Sequence, residues 1–169
     1  MPRTRPTRFG ESRPLAALVG GLLAVPVAIL LSACGPEVVY EHDVPLPGAW
    51  AYADSVSFDY DIADTSRAYD LRLSLKHTDA FATQNLYTRF VTVYPDGRRQ
   101  SEPLSLELAD AYGRWLGDCR GADCALEIPL QDSTRFPVPG RYGLVVHQYM
   151  RTEAVDGVGG LGLRIFARN

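Results

Sequence analysis

Ser55-Val56-Ser57-Phe58-Asp59-Tyr60-Asp61-Ile62 alternates polar and apolar residues for eight positions without a break. Successive side chains of an extended chain point to opposite faces. The stretch therefore reads as a strand that buries Val56, Phe58, Tyr60 and Ile62 and leaves the serines and aspartates in water. The same pattern returns at once. Tyr69, Leu71, Leu73 and Leu75 alternate with Asp70, Arg72, Ser74 and Lys76. Leu86 to Tyr94 is rich in β-branched and aromatic residues and ends in the turn signal Pro95-Asp96-Gly97. Leu104, Leu106 and Leu108 follow, then Leu126, Ile128 and Leu130, where Pro129 assigns the strand to a sheet edge. After the turn at Pro139-Gly140, Tyr142, Leu144 and Val146 share a face, and Leu161, Leu163 and Ile165 close the chain.

These segments predict an all-β domain of seven to eight strands. Each has one apolar and one polar face, which suits two antiparallel sheets packed over a shared core. The expectation is an antiparallel β-sandwich, with a jelly roll as one arrangement it allows. Strand order is not legible at this level. No stretch is convincingly amphipathic as a helix, although Leu108 to Trp115 has room for a helical turn.

Outward from the strands, the N-terminus has a different character. Arg3, Arg5, Arg8 and Arg13 precede an apolar run from Leu15 to Leu31, and Leu31-Ser32-Ala33-Cys34 follows. A basic leader, an apolar core and small residues before a cysteine have the form of a lipoprotein signal peptide. In this reading Cys34 takes a diacylglyceryl group and, after cleavage, its new amino group takes a fatty acyl chain such as palmitate. Two or more chains hold a protein stably on a membrane. An uncleaved anchor is the first alternative, but Leu15 to Leu31 is short for a span and Gly20, Gly21 and Pro26 interrupt it. Ordinary cleavage after Ala33 is the second. The expected organisation is a signal peptide at 1–33, a lipidated tether at 34–48 containing Pro36, Pro45 and Pro47, and the sandwich at 49–169.

Cleavage would leave 136 of the 169 residues, enough for one core. It would also remove four arginines and Glu11, so that 13 of the 17 basic and 19 of the 20 acidic residues remain. An acidic domain with no basic stripe is not a nucleic-acid binder. Nor does it invite electrostatic docking on an anionic membrane, so attachment falls to the lipid. With Cys34 lipidated, Cys119 and Cys124 are left as a pair. In an exported chain a disulfide is the expected use, since Cys-x₄-Cys without a second pair or a nearby histidine is poor zinc spacing.

Candidate chemistry is sparse. Gly157-Val158-Gly159-Gly160-Leu161-Gly162 fits G-x-G-x-x-G, but a strand pattern follows it instead of a phosphate-binding helix, so a turn or bulge is expected. His42, His77 and His147 are scattered and read as structural. Asp54, Asp59, Asp61 and Asp64 could be imagined around calcium, yet two of them fall on the polar face of a strand. No nucleophile elbow or zinc-protease motif occurs. The chain reads as non-catalytic, with no cofactor or metal residues. Trp50 and Trp115 could be core, or could stack on sugars or anchor a protein partner.

The ordered set of motifs resembles the gliding-motility lipoprotein GldH family. It runs from the lipobox at Cys34 through Trp50, Phe58, Tyr69-Asp70-Leu71-Arg72-Leu73 and Asn85-Leu86-Tyr87. It continues through Leu108-Ala109-Asp110, Gly113-Arg114-Trp115-Leu116-Gly117, Gly140-Arg141-Tyr142, Gln148-Tyr149-Met150-Arg151 and Gly157-Val158 to Gly160-Leu161-Gly162-Leu163. The Cys119–Cys124 loop departs from the family pattern. The resemblance implies a lipoprotein of the cell envelope, and Gly35 and Pro36 after Cys34, with no acidic residue at the next position, favour the outer membrane by analogy with known sorting rules. Its expected partners are other envelope proteins of the motility and associated secretion machinery. Trp115, Met150 and Arg151 are the candidate partner-binding residues. A carbohydrate-binding sandwich lipoprotein is the alternative, expected to show a row of exposed aromatic rings along one sheet.

Overall fold

The computed structural model describes residues 36–46 and 48–168. The signal-peptide and lipobox readings, Cys34 included, lie outside the described residues. In chain order the strands are β1 (Glu37–Pro45), β2 (Trp50–Ala51), β3 (Ser55–Ile62), β4 (Tyr69–Thr78), β5 (Asn85–Val93) and β6 (Arg99–Glu107). Then come β7 (Asp118–Arg120), β8 (Asp123–Thr134), β9 (Gly140–Gln148), β10 (Ala154–Val155) and β11 (Val158–Ala167). Eight strands are long. The three short ones, β2, β7 and β10, were not legible in the sequence, because two or three residues are too few to show a period.

One sheet has the order β1-β11-β4-β8-β7, the other β3-β9-β5-β6, and β2 pairs with β10 apart from both. Every pairing is antiparallel. Among the eight long strands the first therefore lies beside the last and the third beside the sixth. In the facing sheet the second lies beside the seventh, and the fourth links the seventh to the fifth. This nesting is the jelly roll, two Greek keys wrapped into one sandwich.

The alternation does what the sequence says. Val56, Phe58, Tyr60 and Ile62 are buried while Ser55, Ser57, Asp59 and Asp61 are exposed. Leu71, Leu73 and Leu75 of β4 and Leu161, Leu163 and Ile165 of β11 form the opposite wall of the core. A slip of one residue in either strand would turn that wall outward, so the apolar face pins the register. The outer face of the larger sheet is laced with ion pairs. Arg164 reaches Glu41 at 2.8 Å and Glu127 at 3.4 Å, and Lys76 reaches Asp43 at 3.0 Å. Exposed pairs of this kind contribute little each.

Two local expectations change. Glu37–Pro45, inside the stretch read as a tether, pairs with β11 along its length. Its alternation is broken where the register shifts between Val38 and Tyr40, which hid the strand. Leu108 to Trp115 forms no helical turn but a loop closed by an Ala109–Trp115 bridge. Pro129, by contrast, sits on a free edge, since β7 covers only Asp123 to Ala125 of β8.

Candidate functional site

The strand registers gather the loops at two ends. Glu37, Ala167, Tyr69 and Thr134 align at one end of the larger sheet. At the other end, where β1 finishes at Pro45, lie the β2 and β10 segments and the loops 79–84, 108–117 and 149–153. This second end holds an open groove of about 690 Å³, lined by Ala51, Tyr52, Ala53 and the run from Tyr149 to Glu153.

The groove is built by two segments far apart in sequence. Ala51 pairs with Ala154 and Trp50 with Val155, and the Tyr52 amide donates to the Glu153 carbonyl at 2.7 Å. Trp50 drives this docking: its ring is 1% exposed, and its indole N–H donates to the Asp54 carbonyl at 3.3 Å. The opposite bank is set by Gln148, itself 1% exposed. Its side-chain oxygen accepts from the Met150 amide at 2.9 Å, and its side-chain nitrogen donates to the Thr152 carbonyl at 3.2 Å. Strand β5 supports the same bank. The Tyr149 amide donates to the Tyr87 carbonyl at 2.8 Å, and the Met150 sulfur accepts from the Tyr87 amide at 3.3 Å. Fixed loops that display side chains are the usual form of a preorganised docking site.

The side chains on display are aromatic, with Arg89 and Arg151 as the cations among them. Tyr52, Tyr87 and Tyr149 are each about half exposed, and the Arg89 guanidinium lies 5.3 Å from the centre of the Tyr149 ring. His147, beside Arg89, is held below its ordinary pKa by burial and by the nearby Arg89 and Arg99 charges. Arg151 is exposed, whereas Met150 packs partly on the core.

Trp115 stands elsewhere. It is half-buried, with its ring edge-on to His77 at 4.8 Å and 6.4 Å from Phe81. It is not among the residues that line the groove. The loop that carries it is tied by Asp110. That carboxylate accepts from the amides of Tyr112 at 2.9 Å and Arg114 at 3.0 Å and pairs with the Arg114 guanidinium at 2.7 Å. The Arg114 amide, then the other donors, hold its pKa below the ordinary carboxylate value. The loop lifts Tyr112 to 87% exposure at its tip. His77 is 2% exposed; its Nδ1 lies 3.2 Å from the Thr78 carbonyl, and its Nε2 has no partner among the described residues.

The remaining sequence candidates fall apart in space or take structural roles. Cys119 and Cys124 face each other across β7 and β8 and are bonded, with Cα atoms 4.0 Å apart. Gly157 adopts φ +80° at a turn, and the chain then enters β11 with a register shift between Val158 and Gly160. Asp59 pairs with Arg141 at 3.2 Å, and Asp64 accepts from Ser66 at 2.6 Å. Among the described residues no three potential ligands gather around one metal position. A second cleft, about 240 Å³, opens between β6 and β8. The rings of Tyr60, Phe136 and Tyr142 inside it pack on one another, and the Arg98 guanidinium lies 4.1 Å from the centre of the Tyr94 ring. The exposed tyrosines Tyr52, Tyr87 and Tyr149 cluster around the groove and do not form a row along a sheet. Tyr149 falls in the expected contact stretch from Gln148 to Arg151, whereas Tyr52 carries no sequence signal for the groove.

Comparison with known proteins adds a separate line of evidence. A family model described as GldH lipoprotein matches residues 38–165. A protein of Christiangramia forsetii named gliding motility lipoprotein GldH homolog is 26% identical over 131 residues, covering 77% of this chain and 80% of that protein. The gliding motility lipoprotein GldH of Flavobacterium johnsoniae is 25% identical over 145 residues, covering 82% of this chain and 90% of that protein.

Proposed function

The chain belongs to the GldH lipoprotein family, and on that premise we propose that it is a non-catalytic docking protein of the gliding machinery. It is tethered through lipid on Cys34, in the outer membrane, and contacts an envelope protein of the motility or associated secretion apparatus. The family links it to gliding motility and to the cell envelope.

The observation that carries the docking role is the groove. Two chain segments about a hundred residues apart are fastened to each other and to β5. Together they display Tyr52, Tyr149, Met150 and Arg151. Tyrosine and arginine are the residue types that anchor protein interfaces, because they combine a large apolar surface with a directed polar group. Trp115 contributes by holding the neighbouring loop against His77 and Phe81.

The test is a double variant, Tyr52→Ala with Tyr149→Ala, in the native host. Both rings are largely solvent-facing, so folding should survive. Loss of two interface aromatics is expected to weaken binding by roughly 2–4 kcal/mol. Spreading of colonies should fail, and co-purification with components of the motility apparatus should be lost at normal protein abundance. Normal spreading and normal co-purification by a folded variant would remove the groove from the mechanism. Cys34→Ser tests the tether separately, with the expected result that the protein is released or accumulates as unprocessed precursor.

A further inference from the structure

We infer that the Glu37 end of the sandwich is a lipid-contact surface. It seats the domain upright on the bilayer through Val38, Val39 and Val138, and the groove points away from the membrane. The inference rests on Cys34 carrying the lipid.

The first argument is the length of the leash. Only Gly35 and Pro36 stand between Cys34 and the first residue of β1. Three residues of chain reach about 10 Å at most, so a lipid on Cys34 keeps Glu37 close to the headgroups. From there β1 runs for nine residues to Pro45, about 30 Å at the rise of an extended strand. The strand is paired with β11 along its length. It cannot coil up, and the groove end is held at that distance.

The second argument is what this end exposes. Val38 is 50% exposed, Val39 39% and Val138 46%. Val138 stands between Pro137 and Pro139, and its carbonyl accepts from the buried Tyr142 hydroxyl at 2.7 Å. The apolar tip is therefore fixed in place, where it can sit among headgroups and upper acyl chain.

The third argument is charge. Three carboxylates at this end are paired with arginines, Glu37 with Arg67 at 2.7 Å, Asp70 with Arg168 at 2.7 Å and Asp96 with Arg98 at 4.0 Å, while Asp64 is held by Ser66 and Asp61 is exposed. Among the described residues no carboxylate lies within ion-pair distance of Arg99 or Arg135, which stand beside the same loops. The opposite end carries Asp54, Asp79, Asp110, Asp118, Asp123, Glu153 and Asp156 in or beside its loops, against Arg114, Arg120 and Arg151, of which Arg114 and Arg120 pair with Asp110 and Asp118. The acidity of the whole chain is thus unevenly placed. An anionic leaflet repels the groove end and tolerates the Glu37 end.

The experiment uses the full chain, lipidated in its host and reconstituted in vesicles of phosphatidylethanolamine and phosphatidylglycerol. A photoreactive phenylalanine replaces Val138 in one variant and Tyr112 in another; both positions are exposed, so both variants should fold. Intact mass reports whether Cys34 carries lipid. The expected result is about tenfold more lipid adduct at 138 than at 112, because about 30 Å of strand separates the two ends. Lipid on Cys34 with equal or reversed labelling would overturn the orientation and leave the tether intact. An unmodified Cys34 in membrane-extracted protein would overturn the tether and the orientation with it.

Discussion

Gln148→Leu isolates the contribution of one buried side chain to the groove. Leucine has a similar volume but can neither accept from the Met150 amide nor donate to the Thr152 carbonyl. The two losses differ in cost. The Met150 amide is partly buried, so leaving it unpaired costs about 1.5 kcal/mol. The Thr152 carbonyl lies in an exposed stretch where water can replace the donor, and its loss costs about 0.5 kcal/mol. The sum, about 2 kcal/mol, lowers the melting temperature of a domain this size by roughly 6 °C. It should also free the loop from Tyr149 to Glu153, so that the Met150 amide gains more in exchange rate than the amides of β4 and β11, which rise only with the loss of global stability. Thermal melting and hydrogen exchange on the same samples provide the assay. A drop under about 2 °C with unchanged exchange at Met150 would refute the claim that Gln148 organises the groove.

Other outcomes follow from the same geometry. Reduction, or Cys119→Ser with Cys124→Ser, should cost roughly 2 kcal/mol because the closed loop is short; thiol labelling of the folded, non-reduced protein at either position would contradict the bond. Gly157→Ala places a Cβ on the Phe81 backbone at φ +80°, and should destabilise by about 2–4 kcal/mol in chemical denaturation; an unchanged midpoint would show that the turn yields. The pKa of Asp110 is depressed in the folded state, so its contribution is present above the ordinary carboxylate pKa and lost as the pH falls through the lower folded value. The 110–114 loop should therefore loosen in acid, read as faster exchange at Arg114, and Asp110→Asn should flatten that dependence.

The sequence by itself determined the strands that form the core, the antiparallel sandwich and the cysteine pair. Val56, Phe58, Tyr60 and Ile62 show why: which face a side chain takes depends only on its position along an extended chain, so burial is written locally. The turn after Tyr94 and the edge position of Pro129 were equally local, because they follow from backbone chemistry that those residues cannot avoid. Glu37–Pro45 was hidden by an irregularity at Val38, and only pairing with β11 makes it a strand. Trp50 and Trp115 looked alike in sequence, yet one is sealed under β10 and the other lies half-buried against His77. The jelly-roll order and the groove were decided only by tertiary structure. Tyr52 and Tyr149 line one groove because β2 finds β10, and no local period encodes which distant strand an edge will choose. That choice is made by the combined packing of both sheets, where the whole core settles the register at once.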